Sequence, residues 1–187
     1  MSLVTLRTLE NAPAEALPWL QKAQEQSGYL PNLLKVLANA PVALETYLTV
    51  SAINARASLS LAEREVIQLT AATTHGCSFC VAGHTAIAKN KAKLSEEVIE
   101  ALRARGELPD TRYEALAAFT REVIANRGAV SEDSLNSFLE AGFDQQQALE
   151  VILGVSLATL CNFANSFART PLNPELAAYR WGGGNDQ

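Results

Sequence analysis

Helix start and stop signals follow one another along almost the whole chain and leave little room for any other backbone. Pro13, Pro31 and Pro41 each open an Ala- and Leu-rich segment, where the missing N–H of proline has no intrahelical partner to lose. Ser60-Leu-Ala-Glu63 has the form of a capping box, and Gly76 is placed to end the helix that follows. Ser95 is followed at once by Glu96 and Glu97, which suit the positive end of a helix dipole. The spacing predicts helices over Pro13–Ser27, Pro31–Ala38, Pro41 to about Arg56, Ser60 to Gly76, Ser78–Lys91, Ser95 to Gly106, Asp110–Asn126, Ser131–Ala141 and Asp144–Phe167. No stretch shows sustained period-two alternation with β-branched enrichment, so the fold class is all-α.

At 187 residues and 48% hydrophobic content the chain can bury one sizeable core, and one domain over 1–187 is expected. The net charge of -5 argues against nucleic acid as a partner, since phosphate binding needs clustered cations. Lys89, Lys91 and Lys93 form the one basic cluster, and Glu96 and Glu97 beside it mark a solvated helix end. The N-terminus has no apolar run of signal-peptide length. Val151–Ala164, the longest apolar stretch, is interrupted by Ser156, Thr159 and Asn162, and reads as a buried helix too short to span a bilayer. The expectation is a cytoplasmic protein with no membrane partner. In a reducing compartment a close cysteine pair is catalytic, redox-active or metal-binding rather than a passive staple.

Such a pair is present, in the segment Glu65-VIQLTAATTHG-Cys77-SF-Cys80-VAG-His84. Gly76 breaks the preceding helix, so the cysteines fall in the first turn or two of the next. Residues three apart then share a face, with Cα atoms about 5 Å apart, inside the disulfide range. The helix N-terminus stabilises a thiolate there. His84 follows Cys80 by one turn, where its imidazole can exchange the thiol proton. Glu65 lies inside an apolar stripe of Leu61, Ala62, Val66, Leu69, Ala72 and Thr73, while Glu63, Arg64 and Gln68 take the other side. A carboxyl group facing a core must be paired or protonated, and is thereby tuned for proton transfer.

The pattern Glu, eleven residues, Cys-x-x-Cys, three residues, His resembles the core motif of alkylhydroperoxidase D (AhpD) and its relatives in the carboxymuconolactone decarboxylase-like superfamily. Gly28-Tyr-Leu-Pro-Asn32 and the Ala40-Pro41 break resemble the peroxidase-related branch, with a motif core over about 42–126. The resemblance implies a multihelical AhpD-like bundle, with Cys-x-x-Cys at the N-terminus of a core helix, assembled as a homotrimer or homohexamer. It implies reduction of organic hydroperoxides with a lipoyl- or thioredoxin-type dithiol as reductant. Cys80 is then the peroxidatic thiol, Cys77 the resolving one, and Glu65 with His84 the proton relay. No cofactor is implied. Phe79 stands where AhpD itself has a histidine between the cysteines.

Competing readings attach to the same residues. Cys77, Cys80, His84 and His75 are a possible zinc set, although Gly76 separates His75 from the others. A lactone decarboxylase and a non-enzymatic redox sensor or binding oligomer are the functional rivals. His75 suits a helix C-terminus as an imidazolium, and Cys161 reads as a small core hydrophobe. Asn162 and Asn165 share a helical face, as pocket, interface or plain helix-end polar groups. Trp19, Tyr179 and Trp181 read as packing or subunit-contact residues. A faint echo links Cys77-Ser-Phe-Cys80 to Cys161-Asn-Phe-Ala164, as if a helical hairpin had been duplicated.

Overall fold

Each expected N-cap turns extended backbone into helix by the same device, a side-chain oxygen accepting an N–H of the first turn. Ser60, Ser95, Asp110, Ser131 and Asp144 all do so. The computed structural model describes residues 2–183; Met1 and residues 184–187 of the expected domain lie outside the described residues. Within it the helices are α1 (Leu17–Ser27), α2 (Asn32–Leu37), α3 (Pro41–Asn54), α4 (Leu61–His75), α5 (Ser78–Ile87), α6 (Glu96–Ala104), α7 (Thr111–Ala125), α8 (Glu132–Glu140) and α9 (Gln145–Ala168). The described residues contain no strand, and the fold class is all-α as the sequence predicts.

The ends differ from expectation in instructive ways. The first helix begins as a 3-10 turn at Ala14–Ala16, and α5 runs on through a π turn, Ala88–Ala92. A further 3-10 turn, Pro174–Tyr179, lies beyond the last helix predicted. Lys93, Arg105 and Arg169, not glycines, take the left-handed conformation that ends three of the helical segments. At Arg105 the guanidinium lies 5.4 Å from the Trp181 ring centroid, and Gly106 N–H closes onto Ala101 O.

Helix α4 is packed by α5, α6, α7 and α9. Its expected polar side is therefore not a solvent face: Glu63 and Gln68 are buried along with Glu65. Glu63, Glu65 and Gln68 each have a partner for the buried side chain. Glu63 closes the capping box with Ser60 and takes two donors from Arg112, at 3.0 and 2.8 Å. Gln68 Nε2 donates to Gly154 O at 2.9 Å. Around them Val66, Leu69, Ala71 and Ala72 are wholly buried. Phe119, Phe138 and Phe143 stack at successive centroid distances of 4.4 Å, fastening α8 and its following turn to α7.

Helix α9 crosses α4 closely because Gly154 has no side chain: a Cβ there would lie 3.1 Å from Ile67 Cγ2. At 24 residues α9 is long and apolar enough to cross a membrane by length and composition alone, as a core helix also can be. Its interruptions sit on one continuous helix. Its Val151, Ala158, Cys161, Asn162 and Asn165 side is buried against the bundle, while Leu149, Ile152, Phe163 and Phe167 are exposed. Cys161 lies within that helix rather than at a helix start, so the echo with Cys77 does not extend to the structure. The chain beyond α9 returns over α5, held where Asn173 Oδ1 accepts Asn32 N–H at 2.8 Å and where Trp181 Nε1 donates to Arg103 O at 3.0 Å.

Candidate active site at the joint between α4 and α5

A single glycine separates two helices whose ends carry the chemistry. Gly76 adopts φ 71°, and Cys77 N–H reaches back to Ala72 O at 2.9 Å, completing the C-terminal turn of α4. Cys77 is at the same time the N-cap of α5, with its Sγ accepting Cys80 N–H at 3.3 Å. The two cysteines are joined as a disulfide with a Cα–Cα distance of 5.4 Å, as their spacing predicts. Cys77 is 3% and Cys80 5% exposed.

Helix α5 puts His84 one turn beyond Cys80, and α4 brings Glu65 to it. His84 Nδ1 lies 2.8 Å from Glu65 Oε2, with the carboxyl side chain 7% exposed and the imidazole 22%. The buried carboxyl therefore has the partner it needs. Engaged through Nδ1, the ring has Nε2 left for proton exchange. The structure brings the four sequence-predicted residues together as two pairs, the cysteines bonded and the acid and imidazole in contact, with Cys80 and His84 one turn apart on α5. The zinc alternative requires both cysteines and two histidines around one point, and among the described residues no such group of three or more metal-ligating side chains converges.

Three further residues enter from parts of the chain remote from the motif. Asn165 of α9 donates through Nδ2 to Cys80 Sγ at 3.3 Å, and its Oδ1 is buried with no protein donor. Tyr47 of α3 is a neighbour of Glu65 and Cys161; burial pushes its phenol well above the ordinary range, and the thiol and carboxylate add to the effect. Asn162 is buried one turn from Asn165 on α9, near His75. The shared face of the two asparagines was visible in the sequence, but which of their atoms meets sulfur depends on how α9 crosses α4. Tyr47 carried no sequence signal at all.

His75 and Cys161 behave differently from one another. Burial lowers the His75 pKa, opposed by Asn162, so the neutral ring is favoured over the imidazolium expected at a helix end. Its ring meets Phe163 at a centroid distance of 5.2 Å. Cys161 is the inert core thiol expected: burial pushes it up to about 12, and its Sγ donates to Leu157 O at 2.9 Å. A surface cleft of about 450 Å³ between α1 and α3 is lined by Trp19, Lys22 and Arg56 among others and contains none of these groups.

The all-helical bundle, with its Cys-x-x-Cys pair at the N-terminus of a core helix, has the fold of the AhpD core. The chain superposes on the peroxidase-related protein with an alkylhydroperoxidase AhpD core from Ralstonia eutropha JMP134, with TM-score 0.82, 21% identity and 94% of each chain covered. A peroxidase-related protein from Silicibacter sp. TM1040 gives 0.81, at 20% identity over 96% of each chain. The debrominase Bmp8, as a cysteine-to-alanine variant in complex with 2,3,4-tribromopyrrole, gives 0.76, at 15% identity over 96% of each chain. At these identities the likeness concerns the fold. In sequence, residues 41–122 match the model of the carboxymuconolactone decarboxylase family. No curated protein matches it.

Proposed function

We propose that the protein is a thiol-dependent peroxidase that reduces organic hydroperoxides through a Cys77/Cys80 dithiol–disulfide cycle. The observation that carries this reading is that α5 bears both the bonded cysteine pair and, one turn beyond Cys80, the His84 that pairs with the buried Glu65. In the reduced protein the Cys80 thiolate attacks the terminal peroxide oxygen. An S–O bond forms as O–O breaks, the sulfur becomes a sulfenic acid, and the peroxide leaves as an alkoxide. The Glu65–His84 pair accepts the Cys80 proton beforehand and returns it to the alkoxide. The Cys77 sulfur then displaces the oxygen of the sulfenic acid as water, giving the disulfide. An external lipoyl- or thioredoxin-type dithiol restores both thiols by exchange, and is itself oxidised.

A homotrimer or homohexamer is part of the same proposal. It is supported by the exposed Leu149, Ile152, Phe163 and Phe167 of α9, an apolar stripe of the kind that marks a contact surface. A second reading, reductive dehalogenation of a haloaromatic by the same dithiol, is favoured by the likeness to the debrominase Bmp8.

Steady-state consumption of cumene hydroperoxide with lipoamide or thioredoxin as donor tests the proposal. Cys80→Ser is expected to abolish turnover. Cys77→Ser is expected to consume a single equivalent and to gain the mass of one oxygen. Full activity in Cys80→Ser would exclude thiol chemistry and turn attention to the lactone decarboxylases. Thiol-dependent debromination without peroxide turnover would select the second reading.

A further inference from the structure

We propose that Asn165 is a catalytic residue of this site, whose carboxamide N–H holds Cys80 as its thiolate. The proposal rests on the reading of Cys80 as the attacking sulfur. Asn165 is 3% exposed and reaches Cys80 Sγ through Nδ2 at 3.3 Å from a helix far along the chain. Its other half makes the contact informative, because the buried Oδ1 accepts from no protein group. Burying a carboxamide with its carbonyl unpaired is unfavourable, and leucine would fill a similar space without that cost. Packing therefore does not call for asparagine here. What the amide adds is a donor on sulfur.

That donor discriminates between protonation states. A thiol or disulfide sulfur is a weak acceptor, whereas a hydrogen bond to an ionised group is about twice as strong as a neutral one. The amide thus favours the thiolate over the thiol. The two sulfurs have separate donors, since Cys77 Sγ takes the Cys80 backbone N–H and Cys80 Sγ takes Asn165. Any residue starting a helix at Cys77 would present the first donor. The second exists only because position 165 is asparagine, and it is aimed at the sulfur nearer His84 in the helix.

The test titrates Cys80 in reduced Cys77→Ser protein, by thiolate ultraviolet absorbance and by iodoacetamide alkylation rate against pH. Asn165→Leu removes the donor at similar volume; Asn165→Asp keeps the shape and replaces the donor by an acceptor. In both, the titration midpoint is expected to rise, with the thiolate fraction at neutral pH falling about tenfold to a hundredfold for leucine and further for aspartate. With both cysteines present, the disulfide is expected to become harder to reduce, since the reduced form has lost its stabilised thiolate. If Asn165→Leu fails to fold, the isosteric aspartate decides the matter. An unmoved midpoint in Asn165→Asp overturns the assignment even in a protein that consumes peroxide. A raised midpoint in a protein that consumes none upholds it and removes the peroxidase reading instead.

Discussion

Glu65 and His84 meet at 2.8 Å although they sit on different helices, because the Gly76 turn folds α5 back against α4. The carboxyl is buried, with the imidazole as its partner, and the imidazole is in turn oriented by it.

Replacing Glu65 by glutamine should separate chemistry from stability. The amide oxygen can still accept from His84 Nδ1, so the thermal midpoint should stay close to wild type. Peroxide turnover should fall by about a hundredfold or more, because the pair can no longer take up a proton. Paired measurements of kcat/KM and thermal unfolding check this; equal turnover in the two proteins would remove Glu65 from the proton path.

Gly154→Val should destabilise the fold by about 1–3 kcal/mol, as overpacking of a close helix crossing does. Even the first carbon of that side chain would lie 3.1 Å from Ile67 Cγ2. The displaced α9 should also lose its grip on Cys80. Urea unfolding gives the first effect and the Cys80 titration the second, and a variant unchanged in both would show that the crossing is not tight.

The Glu63–Arg112 pair should appear in the acid limb of stability. Burial alone would raise the Glu63 pKa, but the Ser60 N–H and hydroxyl and the Arg112 guanidinium outweigh it and hold the group below 4.5. A folded-state pKa below the unfolded one means that the unfolded chain protonates first as pH falls. The stabilisation is therefore complete above 4.5 and is lost as pH drops through the folded value. The melting temperature of wild type should fall more steeply below that pH than that of Glu63→Gln. Parallel curves would contradict the pairing.

Cys161 should be silent. With its thiol pushed up to about 12 and its sulfur donating to Leu157 O, it is not ionised at neutral pH and is a poor nucleophile. Mass spectrometry of reduced native protein after brief alkylation should find adducts on Cys77 and Cys80, with Cys161 labelled after denaturation. Rapid native labelling of Cys161 would show that α9 opens.

The parts of the molecule legible in the sequence are those whose causes are local. Ser60 and Glu63 announce a capping box within four residues, and Gly76 announces the stop that separates α4 from α5. Cys77, Cys80 and His84 share a helix, so periodicity alone puts them together, and Glu65 stood out as a charge in an apolar stripe. The remainder depended on tertiary packing. Gln68 looked outward because a helix pattern assumes one buried face, whereas α4 is enclosed by four helices. Arg105 ends α6 in place of the neighbouring glycine, with Trp181 against its guanidinium. Asn165 reaches Cys80 from a segment 85 residues away, through a crossing fixed by one missing Cβ, and no local pattern encodes that.

Cys77 closes one helix with its N–H and opens the next with its sulfur, and both tasks are independent of whether that sulfur is bonded to Cys80. The backbone on either side is pinned by contacts that electron transfer leaves untouched. Successive rounds of oxidation and reduction then require only small rotations about side-chain bonds, and the scaffold need not melt or refold between them.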